Sequence, residues 1–202
     1  MPFAHSTTRL ALAAFAVCLP FCAQASSAMV DQPAHRRPTR DVDVVYNAVP
    51  APKAAPHQFK AIRIRFSSAA NKERMDAPNG TAWVLLDFDA GKLTFVDEAK
   101  KISFVQKTNS AMGEVSLDED AHWVRAGSGN YAGLACSKWQ MVDEGRPHLT
   151  VCYTDDGVLL HSEDGGNHVL MDAKSVTYVT PAVSVFVVPA AYAPKNNASS
   201  RS

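Results

Sequence analysis

Cys136 and Cys152 sit in two strand-like segments at equal distances from Glu144, beside Gly145 in an Asp-Glu-Gly-Arg turn. Facing residues at a non-hydrogen-bonded site of a hairpin have Cα atoms about 4.5 Å apart, near the lower limit of disulfide geometry. The expected chemistry of this pair is therefore a structural bridge that pins the register of the hairpin. Closing a loop of this size stabilises the folded chain by roughly 3 kcal/mol in the chain-entropy model. A redox pair or two metal thiolates are the alternatives. The sequence supplies neither a Cys-x-x-Cys nor further ligands at close spacing.

Other constellations match reactive sites only in part. Asp118-Glu-Asp-Ala-His122 sets carboxylates beside an imidazole, as hydrolytic and metal sites do, but in a loop-like stretch. It reads as a solvated acidic loop, with a hydrolase as the competing reading. Asp87-Phe-Asp89-Ala-Gly91 with Glu98 imitates a calcium loop. It lacks the third acidic ligand and the glycine at the sixth position, so a hairpin turn is expected there. His148, His161 and His168 fall on three successive candidate strands, yet their strand parities do not bring them to one face. Ser128 lies in Gly127-Ser-Gly129 without the strand-to-helix context of a nucleophile elbow. Neither a catalytic residue, nor a metal, nor a cofactor is expected.

These residues need elements to position them, and the N-terminus first sets their compartment. Leu10 to Phe21 is an apolar run too short to span a bilayer, and Ala23-Gln24-Ala25 follows as a small-x-small cleavage pattern. Residues 1–25 are accordingly expected to be a cleavable signal peptide directing the chain to the periplasm, with lipidation at Cys18 or Cys22 the competing reading. The full chain carries 20 basic and 20 acidic residues, so loss of Arg9 with the leader leaves about minus one. A nucleic-acid binder needs a clustered basic surface, and this balance argues against one. His35-Arg36-Arg37-Pro38-Thr39-Arg40 is a local exception, read as part of a solvated, disordered arm over 26–40. Residues 41–194 form the expected domain, and 195–202 a disordered tail. No stable membrane span is expected.

Inside 41–194 the dominant period is two. Phe59 to Phe66 sends Ile62, Ile64 and Phe66 to one face and Arg63 and Arg65 to the other. Trp83 to Phe88 and Lys92 to Val96 flank a turn in which Gly91 takes a positive φ. Lys101 to Gln106, Ala121 to Arg125, Tyr131 to Val142, His148 to Thr154, Gly157 to Ser162, Asn167 to Asp172 and Ser175 to Thr180 continue the rhythm. Short strands joined by short turns predict a mainly β fold, a single strongly curved antiparallel sheet (half-barrel or open barrel meander) with few short helices.

The progression through Arg74-Met-Asp76, Trp83-Val-Leu-Leu-Asp-Phe-Asp89 and Lys100-Lys101 resembles the opening meander of the lipoprotein-carrier (LolA-like) half-barrel superfamily. Ala132-Gly-Leu-Ala-Cys-Ser-Lys-Trp139 and Cys152-Tyr-Thr-Asp-Asp-Gly-Val158 are similar to exported proteobacterial proteins of that group. The resemblance covers about residues 41–192. It implies a curved sheet whose concave apolar face receives acyl chains or another hydrophobic partner. The chain departs from a true carrier in having little sequence for helical lids and in its disulfide hairpin. The expected function is non-catalytic periplasmic binding of a hydrophobic ligand, be it lipid, acyl chain, or lipidated or extended polypeptide. Ile62, Ile64, Phe66, Leu85, Phe95, Phe104, Trp123, Trp139 and Tyr178 are the candidate lining residues. The alternative is an envelope structural or protein-interaction module without a small-molecule ligand.

Overall fold

The computed structural model describes residues 32–48, 61–78, 80–107, 121–142 and 148–194, all within one compact unit. The expected signal peptide, the tail, Asp118 to Asp120 and the Glu144–Gly145 turn lie outside the described residues.

Two antiparallel meanders build the sheet. The first is β1 (Val42–Ala48), β2 (Ile62–Ser67), β3 (Lys72–Asp76), β4 (Ala82–Asp87), β5 (Lys92–Asp97) and β6 (Ile102–Lys107). The second is β7 (Trp123–Tyr131), β8 (Leu134–Met141), β9 (Leu149–Tyr153), β10 (Leu159–Asp164) and β11 (Val169–Thr177). Pairing of β1 with β11 joins them into one open sheet, ordered β6-β5-β4-β3-β2-β1-β11-β10-β9-β8-β7. A two-residue strand, β12 (Ala193–Pro194), adds in parallel to β6. The described residues hold no helix beyond a 3-10 turn at Val183–Phe186.

Alternation decides which face each residue takes. Val42, Val44 and Tyr46 stand opposite Phe66, Ile64 and Ile62, and the same face continues through Met75 and Glu73 to Val84 and Leu86. Asp43, Arg63, Arg65, Arg74 and Asp76 take the other face. Register shifts leave an extra residue in β7, in β10 and twice in β11, and such bulges bend a strand and increase its twist. As a result Tyr153 and Leu159, on β9 and β10, line one cavity with Val42, Ile64 and Phe66. The face carrying these side chains is the concave one.

Several expectations needed correction. Cys152 stands opposite Lys138 rather than Cys136, so the hairpin register is displaced by two residues and the disulfide runs diagonally between β8 and β9. A two-residue displacement leaves both cysteines on the same face, and their Cα atoms lie 5.5 Å apart. Tyr131 ends β7 instead of opening β8; the turn between the two is Ala132–Gly133, with φ of 50° and 77°. β11 runs unbroken where two segments were expected. β1 and β3 lie outside the strands expected from sequence, β3 because Lys-Glu-Arg-Met-Asp offers almost no hydrophobic alternation.

Candidate binding face

The concave face is apolar at its floor, and the chain itself covers the part between β1–β3 and β9–β10. Val42, Val44, Tyr46, Ile64 and Phe66 are buried side by side. Above them lie Arg36, Arg37 and Pro38, and together with Glu73, Tyr153, Gly157, Val158 and Leu159 these surround a cavity of only about 30 Å³. Such a space holds roughly one water molecule, not an acyl chain.

The covering segment was expected to be a solvated arm, and the structure shows it docked. Pro33 is buried. The Arg37 guanidinium lies 4.4 Å from the centre of the Phe88 ring, and that of Arg40 lies 3.4 Å from the centre of Tyr178. Thr39 donates its backbone N–H to the Asp156 carbonyl at 2.9 Å, and Arg40 Nε donates to the Asp156 carboxylate at 2.6 Å. Gly157, with φ of +84°, packs so tightly under the segment that a Cβ there would overlap the Arg37 carbonyl. The turn between β9 and β10 thus lies directly against the Arg37 backbone, which requires glycine at that point.

Electrostatics fix two groups around this seat. Partial burial works against ionisation of Asp156, but hydrogen bonds from Thr154, Arg40 and Tyr178 outweigh it and hold the carboxyl below the ordinary range. Burial, with Glu73 and Tyr153 nearby, pushes the Tyr46 phenol well above its ordinary value. Tyr46 accordingly stays a donor, bonded at 2.7 Å to the Leu159 carbonyl. That bond ties the floor strand β1 to β10 across the concavity.

The residues proposed from sequence divide between several environments. By register Ile62, Ile64, Phe66, Phe95, Phe104, Trp123 and Trp139 all take the concave face. Phe95 and Phe104 stand opposite each other at the β5–β6 end, where Phe95 is 37% exposed. Trp123 and Trp139 belong to a separate cluster with Met141, Leu149 and Val151 at the far end of the sheet. Leu85 is on the convex face, packed with Trp83, Val96 and Phe186 beneath the C-terminal segment. Tyr178 lies beyond β11 and forms the seat of Arg40. Arg63 and Arg65 are ion-paired to Asp43 and Asp76 on the convex face, away from the concavity.

The remaining sequence constellations resolve into local structure. Asp87 pairs with Lys72 and accepts from the Ala90 amide, as a hairpin turn requires. His161 is buried between Asp172 and Glu163 and stacks on Tyr131, whereas His148 and His168 are exposed. Among the described residues no group of three side chains is arranged to hold a metal ion.

Comparison with known proteins places the fold. No family model and no curated protein matches this chain. Among solved structures, an uncharacterized conserved protein from Thermus thermophilus is similar over 79% of this chain and 91% of its own, with a TM-score of 0.54 and 8% identity. MucB is similar over 77% of this chain and 59% of its own, with a TM-score of 0.51 and 14% identity. The MucA/MucB complex of Pseudomonas aeruginosa is similar over 75% of this chain and 56% of the matched chain, with a TM-score of 0.50 and 14% identity. The fold is shared with MucB. The chain spans a little over half of MucB's length.

Proposed function

We propose that this protein is a non-catalytic binding module of the periplasm, exported by a cleaved signal peptide, whose concave face receives an extended polypeptide. The observation that carries the reading is the occupant already present: Arg36, Arg37 and Pro38 lie over Val42, Val44, Ile64 and Phe66, and the space left between them holds about one water molecule. Burial of apolar surface along the curved sheet supplies the affinity, and Ile62, Ile64 and Phe66 are the central contacts. The disulfide Cys136–Cys152 agrees with an oxidising compartment. MucB, which shares the fold, has been solved in complex with MucA, a polypeptide partner.

A second reading, binding of an acyl chain or lipid, is favoured by one feature, the partly open Phe95–Phe104 pair on the same face. Native mass spectrometry of protein isolated from the periplasm separates the two. A polypeptide mass bound one-to-one is the expected adduct. An adduct of fatty-acid or phospholipid mass would move the assignment to the second reading.

A further inference from the structure

The segment on the concave face is held by a different kind of contact from the floor beneath it. Its anchors include two guanidinium groups on aromatic rings, one carboxylate at the rim, and a backbone hydrogen bond to the Asp156 carbonyl. Of the described residues before Arg40, Pro33 is the buried one, and Arg40 has a side chain 59% exposed. Exposed ion pairs contribute little and cation–π contacts at the surface contribute modestly, so such a segment opens at a small fraction of the cost of unfolding. The floor under it is nevertheless a continuous apolar surface with a buried carboxylate, Glu73, among its lining residues. Each seat is matched to the segment above it: Phe88 to Arg37, Tyr178 and Asp156 to Arg40, and Gly157 to the intervening backbone.

We infer that residues 33–40 are a displaceable self-ligand, and that the groove they fill accepts a segment of a partner polypeptide that carries two arginines three residues apart. This rests on the binding-module reading and adds to it the chemistry of the partner and a form of autoinhibition. The partner's arginines take the positions of Arg37 and Arg40, its backbone runs across Gly157, and its intervening side chains meet Val42, Ile64 and Phe66. While the self-ligand is docked, the apparent affinity for a partner is reduced by the fraction of molecules whose groove is open.

The test uses a fluorescein-labelled peptide of sequence Pro-Ala-His-Arg-Arg-Pro-Thr-Arg, identical to residues 33–40, titrated against the full chain by fluorescence anisotropy. Two variants loosen the self-ligand: Arg37→Ala with Arg40→Ala, and Thr39→Pro, which removes the amide donated to Asp156. At least one is expected to bind the peptide about tenfold or more tightly than the wild type, as an opened groove requires. A peptide with alanine in place of the two matching arginines loses that binding, and so does adding Asp156→Asn to the loosened chain. Equal peptide affinity in wild type and both variants overturns the inference. So does absence of peptide binding to a variant that circular dichroism shows to be folded. If that variant instead binds a fluorescent fatty acid or an arginine-free peptide, the concave face remains a binding face and this inference alone falls. If it binds none of the three probes, the binding-module reading falls with it.

Discussion

Both described ends of the chain fold back over the sheet, but on opposite faces and by different physics. On the convex face the C-terminal residues bury Phe186 against Trp83, Leu85 and Val96, with Val185, Val188 and Tyr192 packed around them. Polar contacts are added to that apolar base: Arg74 donates to the Val185 carbonyl at 2.9 Å, and Glu98 accepts from both Trp83 and Tyr192. On the concave face, residues 33–40 cover a richer apolar floor while contributing little apolar surface of their own. Burial of large side chains is what makes a covering segment part of the core. The C-terminal cover is therefore structural, and the N-terminal one is a removable lid on a surface that the fold has already built.

Substitutions should separate the two covers by the size and kind of their effects. Phe186→Ala removes the anchor of the convex cover and is expected to cost about 3 kcal/mol, read as a lowered midpoint in urea unfolding. Replacing both Cys136 and Cys152 by alanine should cost roughly 3 kcal/mol or slightly less, because the closed loop is short. Peptide affinity in loosened chains should survive that change; retained stability with lost binding would give the disulfide a functional role instead. Arg40→Ala, by contrast, should change global stability by less than about 1 kcal/mol. Its effect should appear as faster amide exchange confined to the N-terminal segment.

Acidity offers a smaller perturbation of the same contact. The Asp156 carboxyl lies below its ordinary value in the folded chain, so its contribution is fully present above the unfolded pKa, about 3.9, and is lost as pH falls through the lower folded value. The Arg40 Nε–H resonance followed by NMR should hold steady from pH 7 to about 5 and shift below about pH 4. A shift centred near neutrality would mean that another group controls the contact.

The sequence showed the meander and the floor but not what lies on it. Ile62, Ile64 and Phe66 alternate with arginines, and their shared face follows directly from the period of two. The hairpin around Gly91 was equally readable, since φ there is 57°. Val42, Val44 and Tyr46 carry the same alternation in Asp-Val-Asp-Val-Val-Tyr, a signal that could have identified β1. The docking of 33–40 had no such local sign. His-Arg-Arg-Pro-Thr-Arg has the composition of a solvated run, and its partners Phe88, Asp156 and Tyr178 lie 51, 116 and 138 residues away from the arginines they meet. Leu85 was misplaced for a related reason: Val84-Leu85-Leu86 is apolar on both faces because each face of β4 is covered, so alternation could not assign it.

The central claim is that the concave cover opens independently of the fold. Native-state hydrogen exchange of the full chain, comparing the amides of Thr39 and Gly157 with those of Val185 and Tyr192, tests it most directly. Thr39 is expected to exchange through a local opening insensitive to low denaturant, well before the C-terminal amides, while Val185 and Tyr192 exchange near the rate of global unfolding. Equal protection at both ends, with the same denaturant dependence, would contradict it.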